Sequence, residues 1–204
     1  MRQAEFGVAA LLTRRAATMQ ISTTYRATDQ AAWRSWLAEN HDTASEIWLI
    51  FDDRADHPTV SYLDSVYEAI CFGWIDGIQK RASDVERAQR FTPRRPRSHW
   101  TELNKARARW LIDQGLMTPA GQAILPDLTA RFTVADDIQA AIKATPEAWS
   151  QFCQFPDLYI RVRISYIEEM RRNRDEFDRR LGNFLKKTAA GKLFGNWNDQ
   201  GRLV

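Results

Sequence analysis

The feature that most constrains the fold of this chain is the confinement of strand-like segments to its first half. Glu46–Asp52, Trp74–Lys80 and Ala88–Thr92 are rich in the aromatic and β-branched residues typical of strands. The turn-like stretch Arg81–Arg87 predicts that the last two form an antiparallel pair. Beyond residue 135 the apolar residues recur at helical spacing only. The sequence therefore predicts an α+β fold: a small antiparallel sheet packed with helices, followed by an all-helical C-terminal module.

Capping residues predict where the helices of the first half begin. Asp29 is a favourable N-cap residue, and Ser61 with Asp64 three residues later resembles a capping box. Ser98 is predicted to cap a long helix over residues 99–114, which Gly115 would close. These signals are local, so each predicts one helix start without reference to the rest of the fold.

Composition and pattern divide the chain into five predicted segments. A secretory signal is not expected, because Arg14 and Arg15 follow the short apolar run where a small-residue cleavage site should stand. Translation starting at Met19 is the simpler interpretation of the N-terminal residues. The predicted segments are a leader (1–27), an α+β domain (28–124), a linker (125–134), a helical module (135–190) and a flexible tail (191–204).

Bulk composition excludes several classes of protein. The chain has 204 residues, 44% hydrophobic and 27% charged, as ordinary soluble globular proteins do. No run approaches the eighteen apolar residues that a membrane span needs. Cys71 and Cys153 lie far apart, and the three histidines are scattered without ligand spacing. The sequence predicts buried free thiols, no metal, no cofactor and a cytoplasmic location.

Charge is strongly segregated along the first half of the chain. Residues 28–79 contain ten acidic residues against two basic ones, whereas residues 80–110 contain ten basic against three acidic. Either the two segments neutralise each other within the fold, or the basic segment presents a binding surface. The sequence leaves both interpretations open.

Six short motifs occur in a fixed order between residues 33 and 121 and carry a resemblance. One motif, Gly73–Gly77, places Asp76 between two glycines and close to Trp74. A second, Arg90–Arg94, starts a cluster of arginines. The others are Trp33–His41, Ile47–Leu49, Ser98–Asn104 and Gly115–Gly121. Together the motifs resemble the YdeI/OmpD-associated family, also called bacteriocin-protection proteins, over about residues 28–188.

The resemblance implies an α+β region joined to a small helical C-terminal module. It also implies an association with resistance to bacteriocins, cationic peptides or other envelope stress. No reaction comes with the family. An enzyme is therefore not the preferred interpretation of this chain.

The glycine-flanked carboxylate suggests a ligand site. Trp74 and Asp76 are two residues apart and so share a face of the predicted strand. We expect Trp74 as the floor of a pocket, Asp76 as an acceptor, and Arg94 or Arg95 as an anion clamp. The alternative is a buried Asp76–Arg94 ion pair that only fixes the geometry of strand and loop.

The predicted helix start at Ser98 adds to this site. Its free backbone N–H groups would attract an anion beside the arginines, and Trp100 and Asn104 would face it one helical turn apart. Ligand-binding candidates are Trp74, Asp76, Arg94, Arg95, Ser98, Trp100 and Asn104. Asp76 and His99 are the only catalytic candidates, and the sequence shows no orienting partner for His99.

Three functions remain open from sequence alone. The preferred one is a non-catalytic protein that binds a small anionic ligand or a protein partner. The second is an enzyme on a small polar substrate, using Asp76 with Arg94. The third, less expected, is a weak nucleic-acid binder that uses the basic stretch Arg90–Arg109. A homo-oligomer is compatible with all three.

Overall fold

A four-stranded sheet forms the centre of the N-terminal region in the computed structural model, which describes residues 20–203. Its strands are β1 (Thr24–Tyr25), β2 (Ile47–Asp52), β3 (Trp74–Arg81) and β4 (Glu86–Pro93). Their order across the sheet is β1-β2-β4-β3. The α+β fold class is confirmed, and the predicted β3–β4 hairpin forms with its turn at residues 82–85.

Strand β1 was not expected, and it corrects the predicted leader. Thr24 and Tyr25 pair with β2 in parallel, which makes the sheet mixed. Ala27 is completely buried. Residues 24–27 therefore belong to the fold, because the edge of β2 needs hydrogen-bond partners that β1 supplies. The rest of the predicted leader, residues 1–19 with the proposed start at Met19, lies outside the described residues.

Two helices pack against the sheet as their caps predicted. Helix α1 (Gln30–Asn40) starts where Asp29 accepts a hydrogen bond from the backbone of Ala32 at 2.8 Å. Helix α2 (Tyr62–Cys71) starts where Ser61 accepts from the backbone of Asp64 at 3.1 Å. Gly73 follows α2 with a φ of 76°, a left-handed conformation that glycine adopts without steric cost. Together these elements position β3 and its carboxylate.

The third helix begins later than the sequence predicted. Helix α3 spans Glu102–Asp113, and its cap is Thr101, which accepts from the backbone of Asn104 at 3.1 Å. Ser98 and Thr101 are both good caps. Trp100, between them, is buried in the N-terminal core, so the chain stays extended past Ser98. The expected helix terminus at Ser98 is therefore absent, and with it the free helix N–H groups predicted to attract an anion there.

The C-terminal module is helical throughout its described part. After the short helix α4 (Pro119–Gln122), residues 123–135 form no helix or strand. Four helices follow: α5 (Asp136–Lys143), α6 (Pro146–Phe152), α7 (Asp157–Glu168) and α8 (Arg174–Ala189). Their apolar faces enclose a second core, separate from the core of the sheet. The predicted domain boundaries themselves stay a prediction.

The predicted flexible tail instead folds back onto the N-terminal region. Asp199 is 2% exposed and accepts hydrogen bonds from Tyr67 of α2 and Arg107 of α3. Arg202 pairs with Asp64 at 2.9 Å. The polar composition of residues 191–203 suggested solvation, but these side chains find charged partners far away in sequence.

The two cysteines differ in environment. Cys71 is buried, and desolvation raises the pKa of its thiol to about 11. Cys153 is exposed, contrary to the prediction, because it lies at the C-terminal end of the short helix α6. Within residues 20–203 no helix is long and apolar enough to cross a membrane.

Candidate functional site

Trp74 does not form the floor of a pocket. The side chain is fully buried, its indole N–H donates to the backbone oxygen of His41 at 3.0 Å, and its ring packs edge-on against Trp36. A ligand therefore cannot reach it without opening the core. The sequence correctly predicted a strand here, but the alternation of residues could not distinguish a pocket face from a core face.

Asp76 is paired with a residue that the sequence did not suggest. The hydroxyl of Tyr62, at the start of α2, donates to the carboxylate of Asp76 at 2.7 Å. Burial, and then the negative charge of Asp76, raise the pKa of Tyr62, so the phenol remains a donor. The sequence signal for this pair was limited to an aromatic residue directly after the Ser61 cap.

A broad groove of about 590 Å³ lies beside Tyr62. It runs between the end of β2, the start of α2 and the hairpin of β3 and β4. Gln89 on this hairpin donates to the backbone oxygen of Gly77 at 2.7 Å, where the β3–β4 register shifts. The groove is lined by Phe51, Asp52, Thr59, Val60, Ser61, Tyr62, Gln79, Arg87 and Gln89.

Arg94 is buried with an incomplete set of partners. We define the FTPR turn as residues 91–98. The guanidinium of Arg94 is stacked 3.8 Å from the ring centre of Trp100, and one Nη group donates to the backbone oxygen of His99 at 3.2 Å. Its Nε and second Nη group are buried without hydrogen-bond partners. Burial lowers its pKa to about 10, although the charge of Asp76 acts in the opposite direction.

The predicted Asp76–Arg94 ion pair is not a direct contact. Among residues 20–203 no carboxylate lies within ion-pairing distance of Arg94, and Asp76 acts on it only through its electrostatic field. Ser98 also has a buried hydroxyl without a partner. Arg95 is exposed, and Arg97 has a left-handed φ of 61°. The turn thus gathers unsatisfied donors on its inner side.

Asn104 and His99 have structural contacts elsewhere. Asn104 accepts from Arg107 at 2.8 Å, and Arg107 binds Asp199 through Nε and Nη2 at 2.7 and 2.9 Å. We call the side chains of Tyr67, Asn104, Arg107, Asn196 and Asp199 the junction network. His99 is largely exposed, with its Nε2 atom 3.8 Å from a carboxylate oxygen of Glu169, the residue that follows α7. Neither side chain forms a hydrogen bond with Asp76, so neither is placed to exchange a proton with it directly.

Several arginines of the basic segment, residues 80–110, form contacts within the protein. Arg90 pairs with Glu46, and Arg87 with Asp53, both at 2.5 Å. Arg107 lies in the junction network, and Arg109 donates to the backbone oxygen of Leu128. Of these four arginines, Arg87 and Arg90 pair with the acidic segment, as the first interpretation of the charge pattern proposed.

Comparison with known families divides the chain into two parts. Residues 131–191 match the family described as bacteriocin-protection, YdeI or OmpD-associated. This similarity covers the C-terminal module alone. Residues 25–124 match a domain of unknown function, DUF8412. Neither a curated protein nor a solved structure matches the chain.

The description of the family matched by residues 131–191 names bacteriocin protection. The match confirms the resemblance over the C-terminal part of the predicted range, but the six motifs that carried the resemblance lie outside it. The Gly73–Gly77 and Arg90–Arg94 motifs lie within the match to the domain of unknown function. The YdeI/OmpD-associated match lies on the helices α5 to α8.

Proposed function

We propose that this protein contributes to bacteriocin protection by binding rather than by catalysis, and that its FTPR turn recognises a small anionic group. The observation that carries the proposal is Arg94. A buried cation with two unpartnered N–H groups costs free energy unless an acceptor satisfies it. An anion that reaches the turn would supply that acceptor.

The surroundings of Arg94 favour an anion over a neutral ligand. Trp100 fixes the plane of the guanidinium, so its fork is preorganised for carboxylate or phosphate oxygens. The hydroxyl of Ser98 precedes the His99 carbonyl to which Arg94 donates, and it adds a third donor. Access requires movement of the exposed segment 95–99, where Arg97 already has an unfavourable backbone conformation.

A catalytic alternative rests on Asp76 and Tyr62 beside the groove. The raised pKa of Tyr62 makes it a weak acid at neutral pH, and its hydrogen bond occupies one oxygen of the carboxylate. His99 is directed to Glu169, and Glu102 is paired with Lys105 at 2.6 Å. The phenol of Tyr62 beside Asp76 is too weak an acid to serve as a proton donor, and His99 and Glu102 are engaged elsewhere, so binding is the better-supported function.

Ligand-dependent thermal stability tests the proposal. The purified protein is melted with inorganic phosphate, sugar phosphates and small carboxylates, each matched for ionic strength with NaCl. A bound anion at a hundredfold excess over its Kd stabilises the native state by about 2.7 kcal/mol. We expect this stabilisation in the native protein and in Arg95→Met, but not in Arg94→Met.

Two results would contradict the proposal. One is the absence of any anion effect beyond that of NaCl. The other is an anion effect that Arg94→Met retains. A cytoplasmic location is part of the same proposal, and recovery of the protein in the envelope fraction after cell lysis would exclude it.

A further inference from the structure

The C-terminal module contains a cavity that is independent of the FTPR turn. It has a volume of about 250 Å³ and lies between α7, α8 and the segment that follows α8. Three arginines line it together with apolar side chains. The lining residues are Arg163, Tyr166, Ile167, Arg179, Arg180, Asn183, Phe184 and Phe194. We call it the arginine cavity.

Arg163 brings an uncompensated positive charge to this cavity. Its Nη2 group donates to the backbone oxygen of Asn196 at 2.9 Å, but its Nε is buried without a partner. In the described part of the chain no carboxylate pairs with it. Desolvation lowers the pKa of Arg163, so burial is not offset by a negative charge. Such a group favours an anionic guest.

The backbone is shaped to accommodate this guanidinium. Gly195 has a φ of 68°, and a Cβ atom at this position would lie 2.5 Å from an Nη atom of Arg163. A side chain at residue 195 would push the guanidinium away. The glycine therefore allows Arg163 to lie against the chain at the cavity wall.

The other two arginines share one carboxylate, so the net charge of the cavity lining is positive. Arg179 and Arg180 both donate to Glu176, at 2.6 and 2.7 Å. Hydrogen bonds from Arg179, and then from Arg180, lower the pKa of Glu176 to about 2, so it is ionised at neutral pH. One carboxylate thus serves two arginines, while Arg163 remains without one.

Aromatic rings form the rest of the wall. The guanidinium of Arg180 lies 3.6 Å from the ring centre of Tyr166, and that of Arg163 lies 5.4 Å from Phe194. These stacks hold the arginine forks in fixed planes. The side chain of Phe184 is almost fully buried and adds apolar surface. The cavity is smaller than sites for drug-sized ligands, which begin at about 300 Å³.

We propose that the arginine cavity binds a small organic anion that carries a planar apolar group, such as an aryl carboxylate or an aryl phosphate. The carboxylate or phosphate would accept from Arg163 and Arg179, and the planar group would lie among the three aromatic rings. This site is separate from the one proposed at the FTPR turn, and neither proposal requires the other.

Titration calorimetry of the full chain with four probes tests the assignment. Benzoate and phenyl phosphate carry both features, benzamide lacks the charge, and inorganic phosphate lacks the ring. We expect benzoate or phenyl phosphate to bind at least tenfold more tightly than benzamide and than inorganic phosphate. The ratio of the two aryl anions distinguishes a carboxylate site from a phosphate site.

Three variants locate the binding. Arg163→Met removes the uncompensated charge and should weaken binding of the aryl anion by about tenfold to a hundredfold, since a charge-assisted hydrogen bond is lost. Its matched control is Arg172→Met, an exposed arginine near the end of α7. Asn183→Asp, at an exposed position of α8 on the cavity, adds a negative charge and should weaken binding without affecting folding.

The outcome separates this site from the FTPR turn. Aryl-anion binding that is lost in Arg163→Met and Asn183→Asp but kept in Arg172→Met and Arg94→Met supports the cavity. If Arg163→Met does not fold, Asn183→Asp alone decides. Binding that Asn183→Asp leaves unchanged, or equal affinity for benzoate and benzamide, overturns the proposal.

Discussion

The FTPR turn and the junction network each bury one arginine, and they treat its charge in opposite ways. Arg94 and Arg107 are 5% and 6% exposed. Burial opposes the charge of both, but hydrogen bonds to Asp199 raise the pKa of Arg107, whereas that of Arg94 falls to about 10. The two arginines are equally buried, but only Arg107 has a carboxylate partner within residues 20–203. Arg107 therefore stabilises the fold, whereas Arg94 remains available to a ligand.

The largest expected effect is on the junction network. Asp199→Ala leaves Arg107 buried without its carboxylate, and breaking a buried ion pair from one side costs about 3–5 kcal/mol. We expect the free energy of unfolding, measured by urea denaturation, to fall by that amount. The control is Asp175→Ala, an exposed acidic residue of α8, which should change it by less than about 0.5 kcal/mol.

The same pair predicts how stability depends on pH. The hydrogen bonds of Asp199 hold its pKa below the ordinary value despite burial, so its contribution is fully present above about pH 4. As the pH falls through the lowered pKa, the carboxylate is protonated and the contribution is lost. The stability difference between the native protein and Asp199→Asn should therefore shrink as the pH falls from about 4 through this lowered pKa. A difference that stays constant over this interval would exclude Asp199 as the charged partner.

A smaller effect is expected at the FTPR turn. Arg94→Met forfeits a cation–π contact of about 2 kcal/mol with Trp100 but also removes an unpaired buried charge. We expect a net loss of about 1–2 kcal/mol in urea denaturation, clearly below that of Asp199→Ala. A loss equal to that of Asp199→Ala would mean that Asp76 and Arg94 form a structural pair in solution.

The smallest effect is expected where the acidic and basic segments meet at the surface. Arg90 and Glu46 form a partly exposed ion pair, to which Ser22 adds a hydrogen bond. Glu46→Gln should cost no more than about 1 kcal/mol, and less in high salt. If raising the salt concentration does not reduce the cost, the hydrogen bonds of Glu46 rather than its charge stabilise this edge.

The sequence predicted the elements whose causes are local. Helices α1 and α2 begin at Asp29 and Ser61 because each cap bonds a backbone N–H three residues later. The β3–β4 hairpin follows from two strand-like runs separated by a turn. Choosing between Ser98 and Thr101 required knowing that Trp100 enters the core, which no local rule states. Strand β1 was missed because two residues carry no periodic pattern.

The candidate site was predictable in residue types but not in geometry. The motif around Asp76 and Arg94 does bring a carboxylate and a cation into one neighbourhood, yet Tyr62 and not Arg94 contacts the carboxylate. Burial of Trp74 depends on α1, whose Trp36 packs against it. The pairing of Arg107 with Asp199 spans 92 residues and leaves no trace in local sequence.

The junction network also determines the order in which the protein becomes stable during its synthesis. A ribosome adds about 5–20 residues per second, so Asp199 is made about 5–18 s after Arg107. During that interval the N-terminal region has its core residues, but its buried arginine has no counter-charge. The nascent N-terminal region therefore reaches its full stability only when the returning segment arrives to close it.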